Sequence, residues 1–140
     1  MLTAGVVLYL LVAAGVLAMA AKYAFAPAPA VHHDKALKAE GMESTVAMQI
    51  VLRAVYVPMA AACAALTVVV VVLALGPIWD GELWACVTAT VAALVLGVPT
   101  SASSWWFEKR TGVRGPYRQA MALTALNVVA FLLAGSSANA

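Results

Sequence analysis

Charge is what this chain has least of. Only 10% of its 140 residues are Asp, Glu, Lys or Arg, where soluble domains carry roughly a quarter. With 65% hydrophobic residues, a water-soluble core of this size could not hide the apolar surface, so lipid is the expected solvent. The net charge of +2 is too small to imply nucleic acid. The two cysteines, Cys63 and Cys86, form no Cys-x-x-Cys. They are expected at membrane depths roughly 10–15 Å apart, beyond the reach of a disulfide, so thiol redox chemistry is not expected. No charge precedes Lys22, and a signal peptide, which needs a basic start, is not expected. Nor does the N-terminus have the Arg and Ser of a mitochondrial presequence. No ionisable residue lies deep in an apolar run, so a proton-coupled transporter would lack its coupling group. No Ser/His/Asp set, phosphate-binding Gly loop or cofactor box is present, and no cofactor is expected.

What remains is long apolar runs. They predict an all-α, single-domain, integral membrane four-helix bundle, up-down-up-down, with helices over 2–25, 44–75, 83–104 and 117–134. Pro27 and Pro29 stop the first helix. A polar loop, 32–43, follows, with Ser44 as the expected N-cap of the second helix. The 32 residues from 44 to 75 would extend about 48 Å, well beyond a hydrocarbon core of about 30 Å. Arg53 therefore divides a protruding start from the span 54–75, with Pro58 as a kink. Residues 76–82 are a tight turn between Trp79 and Trp84, which mark an interface. The third helix is expected to continue, kinked, through Pro99 to Trp105 and Trp106, its hydroxyl cluster re-satisfying freed carbonyls. Gly135 is expected to end the fourth helix before a polar tail, 136–140.

Loop charge gives the orientation. The first loop and its flanks hold Lys22, Lys35, Lys38 and Arg53; the third holds Lys109, Arg110, Arg114 and Arg118; the second holds only Asp80 and Glu82. Loops 1 and 3 are thus expected on the cytoplasmic, matrix or stromal side, with both termini on the non-cytoplasmic side, in a bacterial or organelle inner membrane.

Ala85, Ala89, Ala93 and Gly97 recur every four residues, a smooth face that admits a close neighbour. Ala60, Ala61, Ala64 and Ala65 form a similar patch, and the two helices are expected to pair along them. Asn127, near Thr124 inside the fourth helix, reads as interhelical glue. His32 and His33 beside Asp34 raise the thought of a metal, with Glu40 and Glu43 as further ligands. Adjacent histidines in an extended loop point apart and lack a third partner, so a polar surface loop without metal is the reading. Gln49, Arg53 and Tyr56 share a helical face at the basic interface. With Trp105 and Trp106 they are the candidate residues for a lipid, a polar head or a partner; the bland alternative is that Arg53 only anchors the helix.

The stretch Ala47-Met48-Gln49, Arg53 and Pro58 resembles the start of the second helix in the anthrone oxygenase-like family, small four-helix membrane proteins. Leu52 and Val57 stand where that family tends to have asparagine, and the resemblance covers about a dozen residues. It implies Gln49 and Arg53 as the carried-over polar residues. The first expectation for function is a non-catalytic accessory subunit of a larger membrane complex, respiratory or photosynthetic, with other membrane subunits and the lipid bilayer as partners. The alternative is a small membrane enzyme or lipophile-binding protein with a small-molecule ligand. A transporter is third.

Overall fold

The structure, a computed structural model, describes residues 1–138. It contains α1 (Leu2–Phe25), α2 (Val31–Ala39), α3 (Val46–Leu75), α4 (Leu83–Thr111) and α5 (Tyr117–Ala138). No strand occurs among the described residues. The four longer helices are each long and apolar enough to cross a membrane.

The bounds follow from local chemistry. Ala26 leaves α1 with extended backbone (φ −65°, ψ 150°), as the residue before a proline prefers. The expected polar loop is instead largely helical. α2 begins after Pro29, carries Asp34 in its first turn and is braced by Lys38 on Asp34 at 2.7 Å, an i,i+4 pair. Gly41 closes it with φ +70°, and the Met42 N–H returns to the Leu37 carbonyl at 2.9 Å, a glycine-led helix ending. Thr45, not Ser44, caps α3, accepting the Met48 N–H at 3.2 Å. The Ser44 hydroxyl accepts from Gln49 Nε2 at 3.2 Å instead. α4 runs through Pro99 and past the tryptophans to Thr111, where Gly112 (φ 68°) stops it. Around Pro99 the hydroxyls turn back on their own helix: Thr100 donates to the Leu96 carbonyl at 2.7 Å and Ser103 to that of Thr100 at 3.1 Å. Gly135 is buried inside α5 rather than ending it; of the expected tail, Asn139 and Ala140 lie outside the described residues.

Contacts fix the relative directions. Gly5 of α1 abuts Ala134 near the end of α5. The Thr67 hydroxyl of α3 donates to the Ala13 carbonyl of α1 at 3.4 Å. Gly97 of α4 faces Thr124 of α5. The long helices therefore alternate in direction, with α1 against α3 and α5, and α4 against α5. The α3–α4 interface is the smallest of the four, although a turn of only seven residues, 76–82, joins these helices. At that turn they meet closely: Val70, Ala74 and Ile78 share the main core with Val6, Tyr9, Ala85, Cys86, Ala89 and Ala134. At the opposite end a smaller core holds Tyr23, Ala30, Tyr56 and Ala60 and no residue of α4 or α5. α3 and α4 thus meet tightly at the Asp80 end and loosely at the other. All eight Lys and Arg lie toward the loose end, hereafter the basic end.

The small-residue face of α4 is used differently from expectation. Ala85 and Ala89 are fully buried, in a core that α1 and α5 share with the end of α3. The Tyr9 hydroxyl donates to the Cys86 carbonyl at 3.1 Å. That uses its only proton, so Thr90 donates to the Tyr9 oxygen at 2.7 Å. Asn127 Nδ2 donates to the Thr90 carbonyl at 3.3 Å. Small residues leave α4's backbone bare enough for these side chains to reach it. Ala61 and Ala65 of α3 are exposed, so the expected pairing of the two alanine patches does not form. Outward faces of the long helices are apolar, with Leu11, Val68, Val72, Val95 and Leu132 all more than half exposed.

Candidate functional site

The looseness of the basic half leaves a cavity of about 390 Å³. One wall is Val12, Val16, Met19 and Tyr23 of α1. From Val12 to Tyr23, eleven residue steps, it spans about 17 Å. α3 contributes Val55, Tyr56, Met59, Cys63 and Leu66; α4 contributes Ala93, Leu96, Gly97, Thr100, Ser103, Ser104, Trp106 and Phe107; α5 contributes Ala120, Leu123, Thr124 and Asn127. No Asp, Glu, Lys or Arg lines it. Its volume and apolar walls are those of a small-molecule site. Among its lining residues the exposed ones are Val55 of α3 and Ser103 and Trp106 of α4, so the opening lies at the α3–α4 seam.

The floor is polar. Asn127, 1% exposed, lines the cavity and joins the Thr90–Tyr9 network below it. Its Oδ1 has no hydrogen-bond partner, and neither does the buried Ser101 hydroxyl.

The end wall is aromatic. α2 folds back so that His32 and His33 are half-buried, their ring centroids 4.1 Å apart. His32 meets Phe107 edge-on at 5.7 Å and Tyr23 at 6.4 Å. His33 lies 5.5 Å from Phe107 and stacks near Tyr56 at 5.7 Å. Tyr23 and Tyr56 pack edge-to-face at 5.4 Å. The Tyr56 oxygen accepts the Ala30 N–H at 3.2 Å and is hydrogen-bonded to His33 Nδ1. Burial lowers both imidazoles' affinity for a proton. For His32 the neighbouring His33 and then Lys22 add to it, bringing its pKa to about 4; His33 is lowered by burial alone. Both are neutral at pH 7. Helix formation corrects the reading of His32 and His33 as an extended surface pair, because ring packing against Tyr56 and Phe107 draws them inward. Among the described residues no cluster of three or more His, Cys, Asp or Glu exists around them or elsewhere.

The other candidate residues divide. Tyr56 and Trp106 line the cavity. Gln49 and Arg53 line a separate, shallow surface groove with Ala28, Val46, Ile50 and Pro58. There the Arg53 guanidinium donates to the Ala26 carbonyl at 2.8 Å, tying α3 to the end of α1. Trp105 is exposed, with the Lys109 ammonium 6.0 Å from its ring centroid. Sequence reasoning missed the α1 stripe and Phe107. The spacing of Val12, Val16, Met19 and Tyr23 does mark one helical face, but nothing distinguishes a face lining a void from one lining a core.

No family model, curated protein or solved structure matches the chain.

Proposed function

We propose that this chain is a four-span integral membrane protein that binds an uncharged or tail-like lipophile inside its bundle. The observation that carries this is the cavity: apolar walls, no charged lining, and an opening at the α3–α4 seam. Apolar walls around a space of this size offer dispersion contacts to an apolar occupant. Loops 1 and 3 face the cytoplasm, matrix or stroma in this reading, and the termini lie opposite. The mouth then opens near the cytoplasmic-side leaflet, where lipophiles partition.

The accessory-subunit reading drew on smooth helix faces open to a partner. On α4 that face is filled by the chain's own Tyr9 and Asn127, so lipophile binding is preferred. The enzyme reading borrowed from the anthrone oxygenase-like family rests on Gln49 and Arg53, which lie away from the cavity.

The test uses purified protein in detergent and a neutral, environment-sensitive fluorescent lipophile. Saturable binding at one site per chain, lost in Cys63→Phe while the fold is retained, supports the proposal. Cys63 is buried and lines the cavity, so the larger side chain has space to occupy. Absence of saturable binding to the wild type would overturn it.

A further inference from the structure

The rim of the cavity carries a second kind of information, which concerns the ligand's head. This step rests on the lipophile-binding reading. Hydrocarbon tails gain no hydrophobic free energy on leaving a bilayer for an apolar cavity, since lipid is as apolar as the walls. Selection among ligands must then lie at the polar end. On α4 the lining residues Ser103 and Trp106 are followed, one turn on, by Arg110 on the same face. The Arg110 guanidinium lies 5.8 Å from the Trp106 ring centroid, and Trp106 is exposed at the mouth. The acid nearest on α4, Glu108, packs toward Gly115 in the loop before α5. The only ion pair among the described residues is Lys38–Asp34 on α2, so Arg110 is not neutralised by a described carboxylate.

We infer that the cavity takes one hydrocarbon tail of an amphiphile whose anionic head, phosphate or carboxylate, sits at the mouth against Arg110. A guanidinium held over an aromatic ring keeps its N–H fork available for an anionic oxygen pair. The neutral interior excludes the charge itself, so the head stays at the rim while the tail fills the cavity inside the bundle. Entry is lateral, through the seam between α3 and α4, from the leaflet on the basic side.

The experiment places the full-length protein in phosphatidylcholine nanodiscs containing a trace of a diazirine-tailed amphiphile. Three are compared: phosphatidylglycerol, phosphatidylcholine and a fatty acid. Crosslinks are mapped by mass spectrometry to interior positions such as Cys63, Leu66 and Leu123, with Val68 and Leu132 as outer controls. The expected result is interior labelling by phosphatidylglycerol about fivefold above phosphatidylcholine, declining with salt. Arg110→Gln should bring that ratio close to one. Interior labelling by the fatty acid but not by phosphatidylglycerol also supports the inference and identifies a free carboxylate as the source. Equal interior labelling by phosphatidylglycerol and phosphatidylcholine, unchanged by salt, would overturn the head-group inference and leave lipophile binding standing. No interior labelling by any of the three would overturn both.

Discussion

Gly5 and Ala134 are so close that a Cβ added at position 5 would stand 2.7 Å from both the Ala134 Cβ and its backbone nitrogen. Backbone cannot rotate away, so α1 and α5 would have to separate. Gly5→Ala is expected to destabilise the protein by roughly 1–3 kcal/mol. Gly15 offers the contrast. A Cβ there would meet the Leu123 Cδ2 at 2.5 Å, but Leu123 is a side chain with the cavity beside it. Gly15→Ala is expected to cost much less. Thermal melting of the two variants in the same detergent checks the order; equal losses would mean the cavity cannot absorb the displaced leucine.

At the closed end, Tyr9 of α1 holds α4 through one hydroxyl, bonded to Cys86 and Thr90. Tyr9→Phe keeps the ring and removes both hydrogen bonds, leaving the buried Thr90 hydroxyl short of its acceptor. A loss of about 1–2 kcal/mol is expected. Denaturant titration followed by helicity measures it. A variant as stable as the wild type would show that Thr90 finds another partner at no cost.

Filling the cavity should separate stability from binding. Cys63→Phe is expected to melt no lower than the wild type, since its added atoms occupy empty space and regain contacts. Its lipophile binding should fall by at least about tenfold, the equivalent of 1.4 kcal/mol. A marked drop in melting temperature would place Cys63 in a packed region instead.

The docking of α2 should weaken in acid. His32 and His33 hold pKa values below the ordinary 6.5 when docked, His32 at about 4. When α2 lifts away, both imidazoles return to water and bind protons near pH 6.5. The undocked form therefore binds more protons between about pH 6.5 and 4, and docking becomes less favourable as pH falls through that window. Above it the effect is absent. Hydrogen exchange across 31–39 should accelerate from pH 7 to 5 beyond its intrinsic change. His32→Phe with His33→Phe should abolish the excess.

Sidedness can be read with single cysteines. Glu40→Cys and Asp80→Cys lie in opposite connections, and the native Cys63 and Cys86 are buried. A membrane-impermeant maleimide should label position 80 only from outside the cytoplasm and position 40 only from within it. The reverse pattern would invert the proposed topology.

The spans were legible because each long helix declares itself by hydropathy over more than twenty residues, a signal no packing detail can erase. Helix α2 was not legible. Its nine residues, five of them polar or charged, follow a proline pair and lack a side-chain cap, and isolated helices of that length are marginal. It forms as His32 and His33 pack on Phe107 and Tyr56, a cause that lies elsewhere in the chain. Gln49, Arg53 and Tyr56 show the limit of reading a helical face. Arg53 and Tyr56 share it within about 60°, yet Tyr56 turns inward and Arg53 reaches outward to Ala26. The cavity had no signal of its own, because it arises from how far α3 and α4 diverge, and neither helix encodes that distance alone.

The hinge-like pairing of α3 with α4, fastened at residues 76–82 and open at Val55 and Trp106, assigns separate tasks to the two halves of the molecule. Substitutions near Tyr9, Ile78 and Ala85 test whether the protein assembles at all. On the proposed function, substitutions near Met59, Leu66 and Leu123 would change what it binds without disturbing that assembly. Descendants of this chain could therefore acquire a different cargo by altering a handful of residues in the gaping half, while the clasp beneath stays as it is.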